Sequence, residues 1–552
     1  MGKRREVQEV CSESSQSCGV PLPDYTQKNR APCRHQFPRQ AHFGTLAAEV
    51  DSGQVRLQLP YRIPLERAIA VLVALACVQL YEGTTFFFTL LFFAFALMAV
   101  LAFNVAEGFA TFPGVYVFFF STLTVILGVF WKAVLREPAN SNLLDPMLTM
   151  SVYTVSMALL LLVVIIIRRI DFRSDNVAAV FRANELNYTI AALGSLAFGL
   201  AVIVLSAVLP PAANGILAVL HQLNVPFVVL AILLGTIGII QESGGRRSMG
   251  FINGLAMAVV FVQGLTTFSK QGLLTPGACW LAAAAYTRLK LRPMQYVGLV
   301  GFAILTLYFA DPWSGARNDV PATGAGFSQR LQLVAFELRN FQSLRERAHE
   351  SGELYKESGA ISYFDTSQGL LDRLTMFTPD DQLIAYSARV RFEGYKPILE
   401  DFENWIPHVL APNKPIPIGG NYYAHEVGGL APDDFTTGVS YSPVSEAYHL
   451  DGWTSVLLLL PAIWFLLFLS VDFTTSGDLR RGPWALILIV YFAHAAPESL
   501  LGGLIFYIFN GNVAMLFAMF FCTRIAPTVG VFFYGRQRIE ALQPRRPLPR
   551  PA

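Results

Sequence analysis

Glu446, Tyr448, His449 and Asp451 stand close together in the run Gly438-Val439-Ser440-Tyr441-Ser442-Pro443-Val444-Ser445-Glu446-Ala447-Tyr448-His449-Leu450-Asp451-Gly452-Trp453. A carboxylate or an imidazole can take a proton from a hydroxyl, and a phenol can orient one. Asp451 can equally cap the helix that follows. Upstream lie the cations Arg317, Arg330, Arg339, Arg345, Arg347, Arg373, Arg389 and Arg391, with Lys356, Lys396 and Lys414. Guanidinium groups bind phosphate in bidentate fashion and stay charged when partly desolvated. Acidic residues outnumber the cations here, so the stretch is not a generic basic patch. Arg339, Arg345 and Arg347 sit beside Glu337, Glu346 and Glu350 and read as solvated helix-face pairs. Arg373, Arg389, Arg391 and Lys414 flank irregular segments and are the stronger site candidates. His408, His425 and His449 are candidate bases or donors by chemistry, although a lone histidine is more often structural. His494 and Glu498, four apart, share a helix face.

The elements that position these groups are set by apolarity. The chain has 552 residues, 53% hydrophobic and 14% charged, with a net charge of +2. That is too apolar for a soluble protein, and basic residues scattered over loops leave no footprint for nucleic acid. Runs of about 20 apolar residues cross a bilayer as helices. Twelve such spans are read near 66–82, 86–103, 112–131, 147–167, 189–209, 214–240, 249–268, 272–287, 294–310, 453–471, 484–500 and 502–522. The expected fold is therefore an all-α polytopic integral membrane protein. Its expected parts are a cytosolic tail (1–62), nine spans (63–310), one large extracytoplasmic loop (311–452), three spans (453–522) and a basic, Pro-rich cytosolic tail (523–552).

Short-loop cations favour the cytoplasm. Arg168, Arg169, Arg173 and Arg182, then Arg246 and Arg247, then Arg288, Lys290 and Arg292, then Arg480 and Arg481, occupy alternate loops, on the side of both tails. The loop 311–452 thus faces outward. Lys270, in Phe268-Ser269-Lys270-Gln271-Gly272, breaks the rule by sitting on an outward turn, either snorkelling or serving the site. Within the loop, Phe327, Leu331, Val334, Leu338, Phe341 and Leu344 recur at helical spacing and predict one amphipathic helix of about seven turns. A second helix is predicted from Thr378-Pro379-Asp380-Asp381, with Thr378 as its cap, ending before Gly394. An ordered loop is expected over Pro407 to Asp434. Of six cysteines, Cys11, Cys18 and Cys33 lie in the tail and Cys77, Cys279 and Cys522 in apolar segments, so neither a disulfide framework nor a zinc site is predicted.

The run Trp405-Ile406-Pro407-His408-Val409-Leu410-Ala411-Pro412-Asn413-Lys414-Pro415, then Asn421 through Gly429, then Ser442-Pro443 and Glu446-x-Tyr448 before Gly452-Trp453, resembles the periplasmic signature of bacterial Wzy-type oligosaccharide repeat-unit polymerases. The turn Ser269-Lys270-Gln271-Gly272 resembles their short basic turn. The chain departs from the pattern at Pro407-His408, where the family often has Pro-Arg, at Ala411, where it has an aromatic, and at Leu450-Asp451-Gly452, where it has Asn-Phe-Gly.

The resemblance implies a GT-C-like helical architecture in the bacterial inner membrane with both termini cytoplasmic. It also implies metal-independent, cofactor-free glycosyl transfer that builds O-antigen or exopolysaccharide. Donor and acceptor would be polyprenyl-pyrophosphate-linked oligosaccharides, with membrane lipid and a chain-length regulator protein as further partners. On this reading Lys270, Arg373, Arg389, Arg391, Lys414 and His408 bind pyrophosphate or glycan, Tyr448 orients sugar hydroxyls, and Glu446 or His425 is the base. The alternatives are an O-antigen ligase, which shares the donor but hands the glycan to lipid A core, and a secondary transporter. Against the transporter stands the lopsided arrangement of nine spans and three, without repeated halves.

Overall fold

In the computed structural model the described residues are 56–170, 181, 186–208, 225–316, 327–357, 362–366, 368–403, 406, 419–430, 433–434 and 438–534. Among them every regular element is a helix and no strand occurs. Before the insert come α1 (Leu65–Tyr81), α2 (Phe86–Val105), α3 (Phe112–Leu135), α4 (Pro146–Arg169), α5 (Tyr188–Val208), α6 (Pro226–Glu242), α7 (Phe251–Thr266), α8 (Lys270–Tyr286) and α9 (Pro293–Gly315). The insert holds α10 (Phe327–Arg339), α11 (Phe341–Glu357), α12 (Leu370–Arg373), α13 (Phe377–Arg389), α14 (Lys396–Glu403) and α15 (Gly419–Glu426). After it come α16 (Pro443–Thr475), α17 (Leu486–Glu498) and α18 (Leu501–Phe533).

The chain is a helical membrane protein. Seven of these helices, α2, α3, α4, α5, α9, α16 and α18, are long and apolar enough to cross a bilayer. The other expected spans hold α1, α6, α7, α8 and α17, helices of 13 to 17 residues. Among the described residues two boundaries differ most from expectation. The helix expected at 453–471 already begins at Pro443, and the last one, expected to end at 522, runs to Phe533. The expected N-terminal tail is pinned near its end, where the Leu57 N–H donates to the Leu289 carbonyl at 2.9 Å.

Local chemistry fixes where the key helices start. Asp145 caps α4 by accepting from the Leu148 N–H at 3.2 Å, with Pro146 in the first turn. Ser442 caps α16 by accepting from the Ser445 N–H at 3.3 Å, with Pro443 in the first turn. Ser, Asp and Pro favour these positions because the first N–H groups of a helix lack intrahelical acceptors. In the core, Trp464 of α16 donates its indole N–H to the Tyr116 hydroxyl of α3 at 2.8 Å. Phe112, Phe120, Tyr153 and Phe468 surround this pair and are fully buried. Tyr116 and Trp464 can be buried this deeply because each satisfies the other's polar atom.

Glycine sets the closest helix crossing. A β-carbon at Gly194 of α5 would stand 1.8 Å from the Ala526 carbonyl oxygen of α18, and one at Gly530 would stand 2.0 Å from the Ile190 carbonyl oxygen. The two backbones therefore touch directly, as small residues allow in membrane bundles.

The predicted seven-turn amphipathic helix is two helices, α10 and α11, meeting at Asn340. At the junction the Asn340 side-chain amide donates to the Phe336 carbonyl at 3.0 Å, the same acceptor its own backbone N–H uses at 3.1 Å. The apolar face is as expected only in part, since Val334 and Leu344 are buried whereas Leu331 and Leu338 are exposed. Val334 and Leu344 pack with Phe268, Leu273, Trp313 and Leu370 in a cluster separate from the main core. The second predicted helix, α13, starts at Phe377 rather than at a Thr378 cap. Met376 precedes it without a side-chain capping bond, and the buried Thr378 hydroxyl has no hydrogen-bond partner. The expected loop over Pro407 to Asp434 contains α15, while 407–418 lies outside the described residues.

Candidate functional site

The site is built on a kink. Inside α16, Asp451 (φ −156°, ψ 39°) and Gly452 (φ 55°, ψ −136°) leave helical geometry, so the helix runs from Pro443 to Leu450, turns, and resumes as an apolar span. The positive φ at Gly452 suits glycine, and a β-carbon there would lie 3.0 Å from the Phe392 ring. The kink frees backbone carbonyls, which need donors. The N–H of Glu393 takes the His449 carbonyl and that of Gly394 takes the Leu450 carbonyl, both at 2.9 Å. Residues 391–394 are thereby held against the mouth of α16.

Three segments converge there. His449 is fully buried, with Nδ1 2.9 Å from the Ser387 hydroxyl of α13 and Nε2 3.0 Å from Glu426 Oε2 of α15. A ring protonated at Nε2 donates to the carboxylate and accepts from the serine. The other oxygen of Glu426 accepts from the Arg391 guanidinium, which also lies 3.5 Å from Glu393. Hydrogen bonding to Glu426, and then its charge, raise the Arg391 pKa. On the rim, the Tyr422 hydroxyl donates to Glu393 at 3.2 Å and the Tyr395 hydroxyl donates to Asp451 at 2.9 Å. Tyr422, Tyr395 and Phe392 are all exposed.

A second buried cluster docks the insert. Asp380 accepts from the Ser442 N–H at 2.9 Å, the Ser445 hydroxyl at 2.5 Å and the Tyr153 hydroxyl of α4. Asp381 accepts from the Thr149 hydroxyl at 2.7 Å, the Asp145 N–H at 3.2 Å and the Leu144 N–H. Burial lifts Asp380 to about 6, against the pull of its donors, and also raises Asp381. These two carboxylates tie α13 to the first turns of α4 and α16.

The residues singled out in the sequence fall in several places. Arg391 lies at the centre of the site. Arg389 points elsewhere, donating to the Leu144 carbonyl at 3.0 Å. Glu446, expected as a base, is buried with both oxygens engaged, one by the Tyr423 hydroxyl at 2.9 Å and one by the Leu501 N–H. It joins α15 to the first turn of α18. His425, the other expected base, turns its Nε2 to the Asp434 carbonyl at 2.9 Å. Tyr448 is buried edge-on between Phe392 and Trp453, both at 5.9 Å. Arg373 closes α12. Lys270 opens α8, where its neighbours Phe268 and Leu273 belong to the separate Trp313 cluster. Lys414 and His408 lie outside the described residues. His494 and Glu498 do meet, at 3.1 Å, and Glu498 accepts from Ser440 at 3.0 Å.

Sequence reasoning missed Asp380, Asp381, Ser387 and Glu426. The adjacent acid pair in Thr378-Pro379-Asp380-Asp381 was the available signal, since two carboxylates opening a helix ask for donors. Among the described residues, Glu393, Glu426 and His449 bring ligand atoms within 4.8 Å of one another, close enough to share a cation. The cation that lies on these carboxylates is the Arg391 guanidinium. Comparison with protein-family models, with curated proteins and with solved structures finds no match.

Proposed function

We propose that the chain polymerises polyprenyl-pyrophosphate-linked oligosaccharide repeat units into O-antigen or exopolysaccharide at the periplasmic face of a bacterial inner membrane. One observation carries the reading. A guanidinium, carboxylates, an imidazole and exposed aromatic rings gather where α16 passes from the polar insert into an apolar span. Such a place suits a substrate whose charged, sugar-bearing head is wet and whose tail lies in lipid. Aromatic faces such as Tyr422 and Phe392 suit sugar rings, and Arg391 suits pyrophosphate. Support also comes from the signature around Glu446-x-Tyr448 and Gly452-Trp453, since Gly452 makes the kink that positions the site.

In the reaction, an acceptor hydroxyl attacks the anomeric carbon of the donor glycan. The new glycosidic C–O bond forms as the bond to pyrophosphate breaks, and polyprenyl pyrophosphate leaves with the electron pair. Cations stabilise the departing charge and a base takes the hydroxyl proton. Twelve spans with both termini inside would place the insert on the periplasmic side.

The test is deletion of the gene in its host, with surface glycans and lipid-linked intermediates resolved by size. Accumulation of single repeat units with loss of long chains, restored by the wild-type gene, is the expected result. Long chains kept on the polyprenyl carrier but missing from lipid A would make the protein a ligase. An unchanged glycan profile would return the reading to transport.

A further inference from the structure

Glu426 is held from two sides by unequal partners. His449, fully buried, fixes Oε2 from behind at 3.0 Å and is itself backed by Ser387 at 2.9 Å. The Ser387 hydroxyl also lies 2.6 Å from the Leu383 carbonyl of its own helix, and its single proton can serve only one of the two acceptors. On the other side Oε1 meets Arg391, whose side chain is 56% exposed while that of Glu426 is 8% exposed. The buried side of this chain of contacts is hydrogen-bonded at each link. The exposed side is a long, flexible cation with Glu393 as a second carboxylate nearby.

We propose that Arg391 is a donor-operated cover over Glu426, and that Glu426 is the carboxylate that takes the acceptor proton. This rests on the polymerase reading of the same site. Without donor, the guanidinium neutralises Oε1 and shields it from solvent. A pyrophosphate headgroup offers Arg391 more negative charge than the carboxylate and draws it away, because the cation follows the stronger anion. Oε1 is then open to the acceptor hydroxyl. The hydroxyl proton passes to Oε1, the oxygen bonds to the anomeric carbon, and the bond to pyrophosphate breaks with its electron pair on the leaving group beside Arg391. His449 is a positioning residue that keeps Glu426 from following the guanidinium. The device couples base to donor, so the carboxylate is uncovered only when there is a glycan to transfer.

The cover makes an unusual prediction: removing the charge of the base should tighten binding of the anion. Full-length protein in lipid nanodiscs would be titrated with geranylgeranyl pyrophosphate as the probe. Turnover would be measured on lipid-linked repeat units extracted from the deletion strain. Glu426→Gln should bind the probe roughly fivefold tighter, the scale of one exposed ion pair released, and lose turnover by about a hundredfold. His449→Gln should keep the affinity for the probe and lower turnover alone, and Arg391→Ala should lose the probe. Should Glu426→Gln not fold, Glu393→Gln reads the same tightening. Unchanged or weaker probe binding in these glutamine variants overturns the cover, and retained turnover in Glu426→Gln overturns the base. Wild-type protein that fails to extend the repeat units, while Glu426→Gln still binds the probe more tightly, would instead overturn the polymerase reading.

Discussion

Asp380, in the first turn of α13, accepts a hydrogen bond at 2.9 Å from the backbone N–H of Ser442, the residue that caps α16. One carboxylate of the insert thus organises the start of a membrane-spanning helix, with Ser445 and Tyr153 as its further donors. Asp380→Ala leaves these buried donors unpaired and is expected to cost about 3 kcal/mol. Asp380→Asn, which keeps one oxygen acceptor, should cost less. The midpoint of thermal unfolding in detergent separates the two.

The same carboxylate makes stability depend on pH. Burial raises Asp380 to about 6, and burial followed by the charge of Glu400 raises Asp401 to about 6. The unfolded chain gives up these protons near pH 4, at about the ordinary aspartate value. Between about 4 and 6 the fold keeps protons that the unfolded chain has lost, so stability is greatest below this window and falls as pH rises through it. Above about pH 7 both states are ionised and the dependence flattens. Unfolding midpoints from pH 4 to 8 should follow this course, with a shallower slope in Asp380→Asn. A midpoint that climbed from pH 4 to 6 would contradict it.

Both oxygens of Glu446 are engaged, so the polymerase reading gives it a structural part and predicts a mild glutamine variant. A glutamine can accept from the Leu501 N–H and donate to the Tyr423 oxygen, so Glu446→Gln should stay within about 1 kcal/mol of wild type. On the polymerase reading it should also restore long glycan chains when returned to the deletion strain. Loss of long chains with normal protein levels would make Glu446 the base.

At the crossing of α5 and α18, Gly194→Ala places a methyl group on the Ala526 carbonyl. The helices must part along the contact, and a loss of more than about 3 kcal/mol is expected. Size-exclusion chromatography of the solubilised protein should show the variant mostly aggregated, whereas alanine at Gly254, where a β-carbon meets nothing within 4 Å, should elute like wild type.

The apolar runs were legible because a span declares itself by length and composition, and seven helices answer that description. The amphipathic face through Val334 and Leu344 was legible by period. The break at Asn340 was not, since the apolar period runs straight through it and one Asn inside such a run gives no clear stop. At the site, Arg391 stood out by type and by its place beside an irregular segment, and His449 by its neighbourhood. Its partners did not. Glu426 joins His449 across 23 positions and Ser387 joins it across 62, and spacing in sequence says nothing about such pairings. Glu446 stood out because a carboxylate near a membrane mouth suggests chemistry, while its partners, the Tyr423 hydroxyl and the Leu501 N–H, gave no signal in the spacing.

α16 carries Ser445, Glu446 and His449 before its kink at Asp451 and Gly452 and an apolar stretch after it. The depth at which that joint sits is therefore set by the lipid as well as by the protein. A thicker bilayer draws the apolar part upright and a thinner one tilts it, at a cost of fractions of a kcal/mol per Å. Because the carbonyls of His449 and Leu450 are bonded to Glu393 and Gly394, any such tilt is passed directly to the segment bearing Arg391. Acyl-chain length in the surrounding membrane becomes a setting of the site itself.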